Sequence, residues 1–313
     1  MRLLRAWRSW RLTPRRYHQV TIVALVLLIA IVVSGAAVRL TGSGLGCDDW
    51  PNCNDERLID VSTGHAAIEQ VNRLFTGLVS VGVIVAVLGS LRRVPRRRDL
   101  TRLSLGLVAG VVAQVLLGGL LVRADLHPIF VQGHLLLSMV LVANAVVLVR
   151  RAAEPDGTDR RTTGVSPTAG RLSWLLAIST AVAILTGTVV TGAGPHAGDE
   201  DVERLDVTVG AAARLHGISV IAALLVAVIT ALVIRRRPGD ARTLQGPLST
   251  WIFVGLLQAA VGYTQYFNEV PAGLVAIHVA GATALWVVTV WLVMSTTRPA
   301  PIASVDRPLV AAA

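Results

Sequence analysis

The chain has 313 residues, a formal net charge of +10, 53% hydrophobic and 15% charged residues. That balance excludes an ordinary soluble domain and a disordered chain, and it points to a protein built for lipid. The positive charge falls in clusters between apolar runs, where it reads as a topology signal beside anionic lipid, so no nucleic-acid partner is expected.

An arginine-rich arm opens the chain (Arg2, Arg5, Arg8, Arg11, Arg15 and Arg16), followed by the first apolar run at 20–38. The run is full length and no small-residue cleavage site follows it, so it reads as an uncleaved first helix. Next comes a loop with Cys47 and Cys53 among Asp48, Asp49, Asp55, Glu56 and Asp60. Two thiols on the oxidising side of a membrane pair by default; a metal site is their other use. Further apolar runs lie at 72–91, 103–122, 130–149, 172–190, 215–234, 251–266 and 274–294. The seventh is the weakest, short and interrupted by Gly255 and Gly262. Eight membrane helices are therefore expected, an all-α polytopic fold.

Arginines recur after the second run (Arg92, Arg93, Arg96, Arg97, Arg98, Arg102), the fourth (Arg150, Arg151, Arg160, Arg161) and the sixth (Arg235, Arg236, Arg237, Arg242). The alternate loops are acidic, the second through Asp199, Glu200, Asp201, Glu203 and Asp206. Positive charge stays on the cytoplasmic side. The expected setting is the plasma membrane, with both termini cytoplasmic.

The first four runs resemble the last four. Thr41-Gly42-Ser43-Gly44 matches Thr191-Gly192-Ala193-Gly194, and Gln114 through Gly118 matches Gln258 through Gly262. Gln114 and His134 are 20 positions apart, as are Gln258 and His278, and the same offset of 144 carries Asn72 onto His216. The spacing predicts two pseudo-symmetric four-helix bundles related by an axis along the membrane normal, as in other parallel repeats. Residues 1–150 would form one half, 151–171 a cytoplasmic linker, and 172–313 the other half with a disordered tail.

His134, His216 and His278 thus sit at matching depths, with Asn72 at the fourth position. Imidazole in lipid needs a partner, and neutral imidazole is a common axial ligand of haem iron. His216 and His278 would close both faces of one haem, which suits electron transfer. His134 opposite Asn72 would leave one face open, because an amide is a poor iron ligand. His18, His65, His127 and His196 fall at borders and in loops and read as solvated or near a propionate. Glu69 stands one turn before Asn72, where a carboxylate could act as a general base or simply suit a helix N-terminus. Arg73, Arg123 and Arg214, and more weakly Arg39, are candidates to pair with haem propionates, with snorkelling to the interface as the alternative.

Ile68-Glu69-Gln70-Val71-Asn72-Arg73 resembles the Glu-x-x-His-Arg segment of haem A synthases, with Asn72 where histidine is usual. Gln132-Gly133-His134-Leu135, Leu215-His216-Gly217 and Ile277-His278-Val279 are similar to the family's other histidine motifs. The likeness covers nearly the whole chain. It implies oxidation of the C8 methyl group of haem O to a formyl group, giving haem A, by successive hydroxylation. It further implies haem b as cofactor on His216 and His278, haem O as substrate at His134, Glu69 as the essential carboxylate, and a Cys47–Cys53 disulfide. Partners implied are haem O and haem A, the lipid bilayer, haem O synthase and an electron acceptor. The competing expectations are a two-haem b-type quinol oxidoreductase and a haem chaperone for oxidase assembly. A transporter fits less well, because the apolar runs lack the broken helices and midplane charges such proteins carry.

Overall fold

The structure is a computed structural model that describes residues 11–157 and 160–300. Arg2, Arg5 and Arg8 of the basic arm, and residues 301–313, lie outside the described residues. Eight helices, each long and apolar enough to cross a membrane, account for most of the described chain. They are α1 (Pro14–Leu40), α2 (Gly64–Arg92), α3 (Arg98–Arg123), α4 (Pro128–Ala152), α5 (Pro167–Ala193), α6 (Val209–Arg235), α7 (Pro238–Phe267) and α8 (Ala272–Ser295). The shortest has 24 residues, and at about 1.5 Å per residue it still exceeds the roughly 30 Å of a hydrocarbon core. The protein is an all-α multi-pass membrane protein.

Each helix overruns its apolar run, and the caps explain why. Thr13, Thr63, Ser166 and Thr208 accept the backbone N–H of the third residue into α1, α2, α5 and α6, and proline opens α1, α4, α5 and α7. A side-chain acceptor satisfies an otherwise orphaned donor, and proline at the first turn loses no hydrogen bond. The largest departure from expectation is α7, which has 30 residues rather than a short broken run. Leu244, Leu248 and Trp251 recur at helical spacing and are buried together against α6 and α8. The polar residues between them hide that stripe from a hydropathy window. Trp251 is anchored as well, its indole N–H donating to Thr289 Oγ1 at 2.9 Å.

Helix packing runs α1–α2, α2–α3, α3–α4 and α4–α1 in one ring, and α5–α6, α6–α7, α7–α8 and α8–α5 in a second. Between the rings α4 packs on α8, α1 on α8 and α4 on α5. Exchanging each helix with the one four places away maps every one of these pairs onto another pair in the set. Within each ring, α2 and α4, and α6 and α8, lie across the diagonal. The seam is apolar: Val32, Met139, Val142 and Val146 are buried there beside Leu135, Val279 and Trp286. Within it the Trp286 indole N–H donates to the Met139 carbonyl oxygen at 2.8 Å.

At the arginine-rich end the structure adds an element that hydropathy does not show. β1 (Arg160–Thr163) pairs antiparallel with β2 (Thr297–Ala300), with Arg160 opposite Ala300 and Thr163 opposite Thr297. The linker is thus tied to the stretch after Met294, and that stretch, expected to be disordered, is ordered as far as Ala300. Four-residue strands fall below the length at which alternation is legible. Nearby, Arg97 bonds Asp99 at 2.8 Å and the Arg151 carbonyl at 2.9 Å, while Arg93, 1% exposed, pairs with Asp156 at 2.7 Å. The carboxylates of Asp99, Glu154 and Asp156 hold the Arg97 guanidinium above its ordinary pKa, against the opposing effect of burial, which is the largest single influence on it.

Candidate functional site

Three histidines and one asparagine sit in the half of the bundle nearer the cysteine loop, on α4, α6, α8 and α2. In the second ring the His216 and His278 rings meet across the diagonal, their centroids 6.3 Å apart and their planes at 85°. The His216 Nδ1 lies 3.0 Å from the Ala183 carbonyl oxygen, which can only accept, so Nδ1 carries the proton. The lone pair is therefore on Nε2, the arrangement a metal-ligating histidine needs. Thr186 Oγ1 sits 3.3 Å from the same Nδ1 and is itself held by Ser219 at 2.8 Å. His278 has a buried Nδ1 with no partner among the described residues.

Glycines make room for the rings. A Cβ at Gly187 would lie 3.2 Å from His216 Cε1, and one at Gly262 would lie 3.3 Å from His278 Cε1. The first ring repeats the device, with Gly118 placing the same point 3.5 Å from His134 Nε2. Gln114 on α3 fixes the start of α4, donating to the His134 carbonyl at 3.0 Å and to Ser138 Oγ at 2.6 Å. The His134 side chain in turn meets the backbone of Gln114. Across the diagonal, Asn72 receives the Ser34 hydroxyl of α1 on its Oδ1 at 2.8 Å.

The spacing of the imidazoles tests whether a haem fits. Two rings on opposite sides of one metal, with metal–nitrogen bonds of about 2 Å, place their centroids roughly 6 Å apart. The His216–His278 pair has that spacing, an orphaned ring nitrogen and glycine clearance on both neighbouring helices. It fits a bis-imidazole metal centre. The described residues hold no cluster of three or more His, Cys, Asp or Glu side chains that could bind a bare metal ion.

Glu69, one turn from Asn72, is 6% exposed and engaged on both oxygens. Arg73 donates to Oε1 through Nη2 at 2.7 Å and Nε at 3.0 Å, and the Cys47 N–H donates to Oε2 at 2.8 Å. Cys47 and Cys53 form the disulfide that the sequence anticipates, and both are buried. The loop is a lid fastened at several points. Arg73 also donates to the carbonyls of Asn52 and Asp49 at 2.9 and 3.1 Å. Arg123 donates to the Trp50 carbonyl at 2.9 Å, and Trp50 lies so close on α3 that a Cβ at Gly119 would come within 2.7 Å of its ring. A Cβ at Gly46 would meet the His65 carbonyl carbon and oxygen, so only glycine lets the lid reach α2 there. Beyond the membrane helices the Ser62 amide, followed by the Ser62 side chain, holds the Asp60 carboxyl below its ordinary pKa and orders the lid's exit.

Arg73 and Arg123 therefore direct their donors to the lid and to Glu69. Arg214 donates its Nε to the Gly210 carbonyl at 3.2 Å and is exposed. The four remaining histidines also have local surroundings. His65 Nδ1 lies 2.9 Å from Ser43 Oγ, His196 Nε2 donates to the Val270 carbonyl at 3.0 Å, and His127 caps α4 and approaches Glu203 at 3.6 Å. His18 contributes its carbonyl to Thr21 Oγ1 at 2.7 Å. Sequence reasoning missed Gln114 as the support of His134 and Ser34 as the partner of Asn72; the first was visible only as a marker of the repeat.

Removing the disulfide tests the lid. A Cys47→Ser/Cys53→Ser double variant is expected to lose roughly 2 kcal/mol of stability, the entropy of a short closed loop. The readout is a lower thermal midpoint in detergent, and an unchanged midpoint would show that the remaining contacts hold the lid without the bond.

Eight membrane helices in two matching rings, with imidazoles paired across one of them, define a multi-pass membrane protein. Residues 18–290 match the cytochrome oxidase assembly protein family, and the chain belongs to it. It is 30% identical over 174 residues to a protein of Listeria welshimeri named "Heme A synthase", covering 54% of this chain and 57% of that one. A protein of the same name from Lysinibacillus sphaericus is 29% identical over 136 residues, covering 43% and 44%. One from Bacillus licheniformis is 25% identical over 140 residues, covering 44% and 46%. The chain spans about half the length of the curated relatives it matches.

Proposed function

We propose that this protein is a haem A synthase, an oxidoreductase that converts the C8 methyl group of haem O to a formyl group. One observation carries the reading: two matching sites are unequal. His216 and His278 face each other at a metal-bridging distance, whereas His134 has Asn72 as its counterpart, already bonded to Ser34. The names of the similar proteins from Listeria and Lysinibacillus support it.

In this reading residues 172–313 hold haem b through His216 and His278, residues 1–150 receive haem O at His134, and 151–171 link the two. Haem b held by His216 and His278 would supply one-electron transfer. Ala183 keeps the His216 Nε2 lone pair available, and Gly187 and Gly262 admit the rings. Gln114 holds the first turns of α4 so that the His134 imidazole can bind the substrate's iron. The lid and its disulfide limit water at the reacting edge. Methyl to formyl is a four-electron oxidation, two hydroxylations followed by loss of water from the geminal diol, and the oxidant comes from outside the chain. Glu69 accepts a proton released in that oxidation, and Arg73 returns the carboxylate to its place. The chain sits in a plasma membrane with both termini cytoplasmic and the lid outside. Haem O arrives from the enzyme that makes it, because so apolar a substrate is best passed within the bilayer.

The test is purification from a host that makes haem O, followed by chromatography of the extracted pigments. Haem O or haem A beside haem B is expected; haem B alone under aeration contradicts the proposal. Asn72 has its own test. Losing one hydrogen bond at the open face should cut haem A formation about tenfold in Asn72→Ala. If Asn72→Ala and Asn72→His both match the parent, Asn72 has no part in the site.

A further inference from the structure

At the lid end, where loops of the two rings touch, three hydrogen-bond donors lie without an acceptor among the described residues. Arg39 closes α1, and its guanidinium has no hydrogen-bond or ion-pair partner among the described residues. Its Cγ lies 3.5 Å from the point where a Cβ on Gly198 would stand. That loop is pinned to the first ring, the Gly44 N–H donating to the Gly198 carbonyl at 2.8 Å. The chain then doubles back, and the Leu205 N–H donates to the Gly192 carbonyl at 2.9 Å. This brings Arg204 close enough for its charge to act on Arg39. Arg204 Nη1 is buried with no partner. The third donor is Gln132 on α4, whose buried Nε2 also has no partner and lies 2.9 Å from the Cβ position of Gly192.

The loop carries five carboxylates, Asp199, Glu200, Asp201, Glu203 and Asp206, yet none forms an ion pair with Arg39 or Arg204 among the described residues. Glu203, 71% exposed, approaches His127 instead. Two cations within reach of each other's charge and with no ion-pair partner among the described residues repel each other in a medium that screens poorly. A bound carboxylate would relieve the repulsion and satisfy the orphaned donors together, since arginine binds carboxylates through paired charge-assisted hydrogen bonds.

We propose that Arg39, Arg204 and Gln132 form a carboxylate site between the two four-helix rings, and that its ligand is a propionate of a porphyrin bound in the bundle. The proposal rests on the haem reading above and deepens it. Arg73 and Arg123, which lie nearer Glu69, have their donors on the lid. Because Arg39 belongs to the first ring and Arg204 to the second, a propionate here also ties the rings together.

The test compares haem b with its dimethyl ester, titrated into the full-length apoprotein in nanodiscs and followed by the Soret band. The ester has the same ring and iron but cannot carry the two negative charges. The parent is expected to prefer the diacid by about tenfold or more, the worth of one charged hydrogen bond. Arg39→Gln and Arg204→Gln should each narrow that preference and the double variant should abolish it, with ester binding unchanged. Equal binding of diacid and ester by the parent, which needs no variant to fold, overturns this inference alone. A double variant that keeps the parent's full preference does the same. A parent that takes up neither porphyrin overturns the haem reading and this inference together.

Discussion

Glu69→Gln is expected to lower haem A formation by about a hundredfold or more, the usual worth of a positioned proton acceptor, while leaving the bound haem unchanged. The glutamine is nearly the same size, so the packing of α2 under the lid is preserved. What changes is charge and donor pattern. Glu69 presents one oxygen to Arg73 and the other to the Cys47 N–H. An amide can accept only one of these, and its NH2 group then confronts a second donor. The lid loosens and the proton acceptor is lost together. Glu69→Asp separates the two effects, because it keeps the charge but shortens the reach to Cys47; partial activity is expected. Haem content, read from the same preparations, is the control. Wild-type activity in Glu69→Gln would leave Glu69 with only its structural role under the lid.

The second large effect belongs to the imidazole pair. His216→Ala and His278→Ala should each abolish the bis-imidazole signal of bound haem b, and His134→Ala should spare it. The two rings come from diagonal helices whose contact with each other is made through those rings. Removing either leaves one imidazole and a void beside Gly187 or Gly262. If His134→Ala abolishes that signal and His216→Ala does not, the assignment of the two rings is reversed.

The sequence carried the architecture because lipid leaves so few ways to satisfy a backbone. Apolar runs of that length in lipid fold as helices, and the repeat at a 144-residue offset aligns Asn72 with His216. The pairing of His216 with His278 was legible for the same reason. Other features depended on residues far apart in the chain. β1 and β2 join positions more than a hundred residues apart through two four-residue strands, too short to show a period. The true length of α7 rests on Leu244, Leu248 and Trp251 packing into a core, which no local window reports. Arg73 reads as a propionate candidate from its place at the outer level of the helices. Its three nitrogens hold Glu69 and the lid, and the carbonyls they meet could not be placed from sequence. Arg39 and Arg204 lie 165 positions apart and meet only because the Gly44–Gly198 contact folds one loop over the other ring.

The most direct measurement is the low-temperature electron paramagnetic resonance spectrum of the purified protein loaded with one equivalent of haem b. The crossed rings of His216 and His278, at 85°, predict a low-spin ferric signal of high anisotropy, accompanied by a sharp Soret band. A preparation that stays colourless after loading, or shows only high-spin iron, contradicts the account.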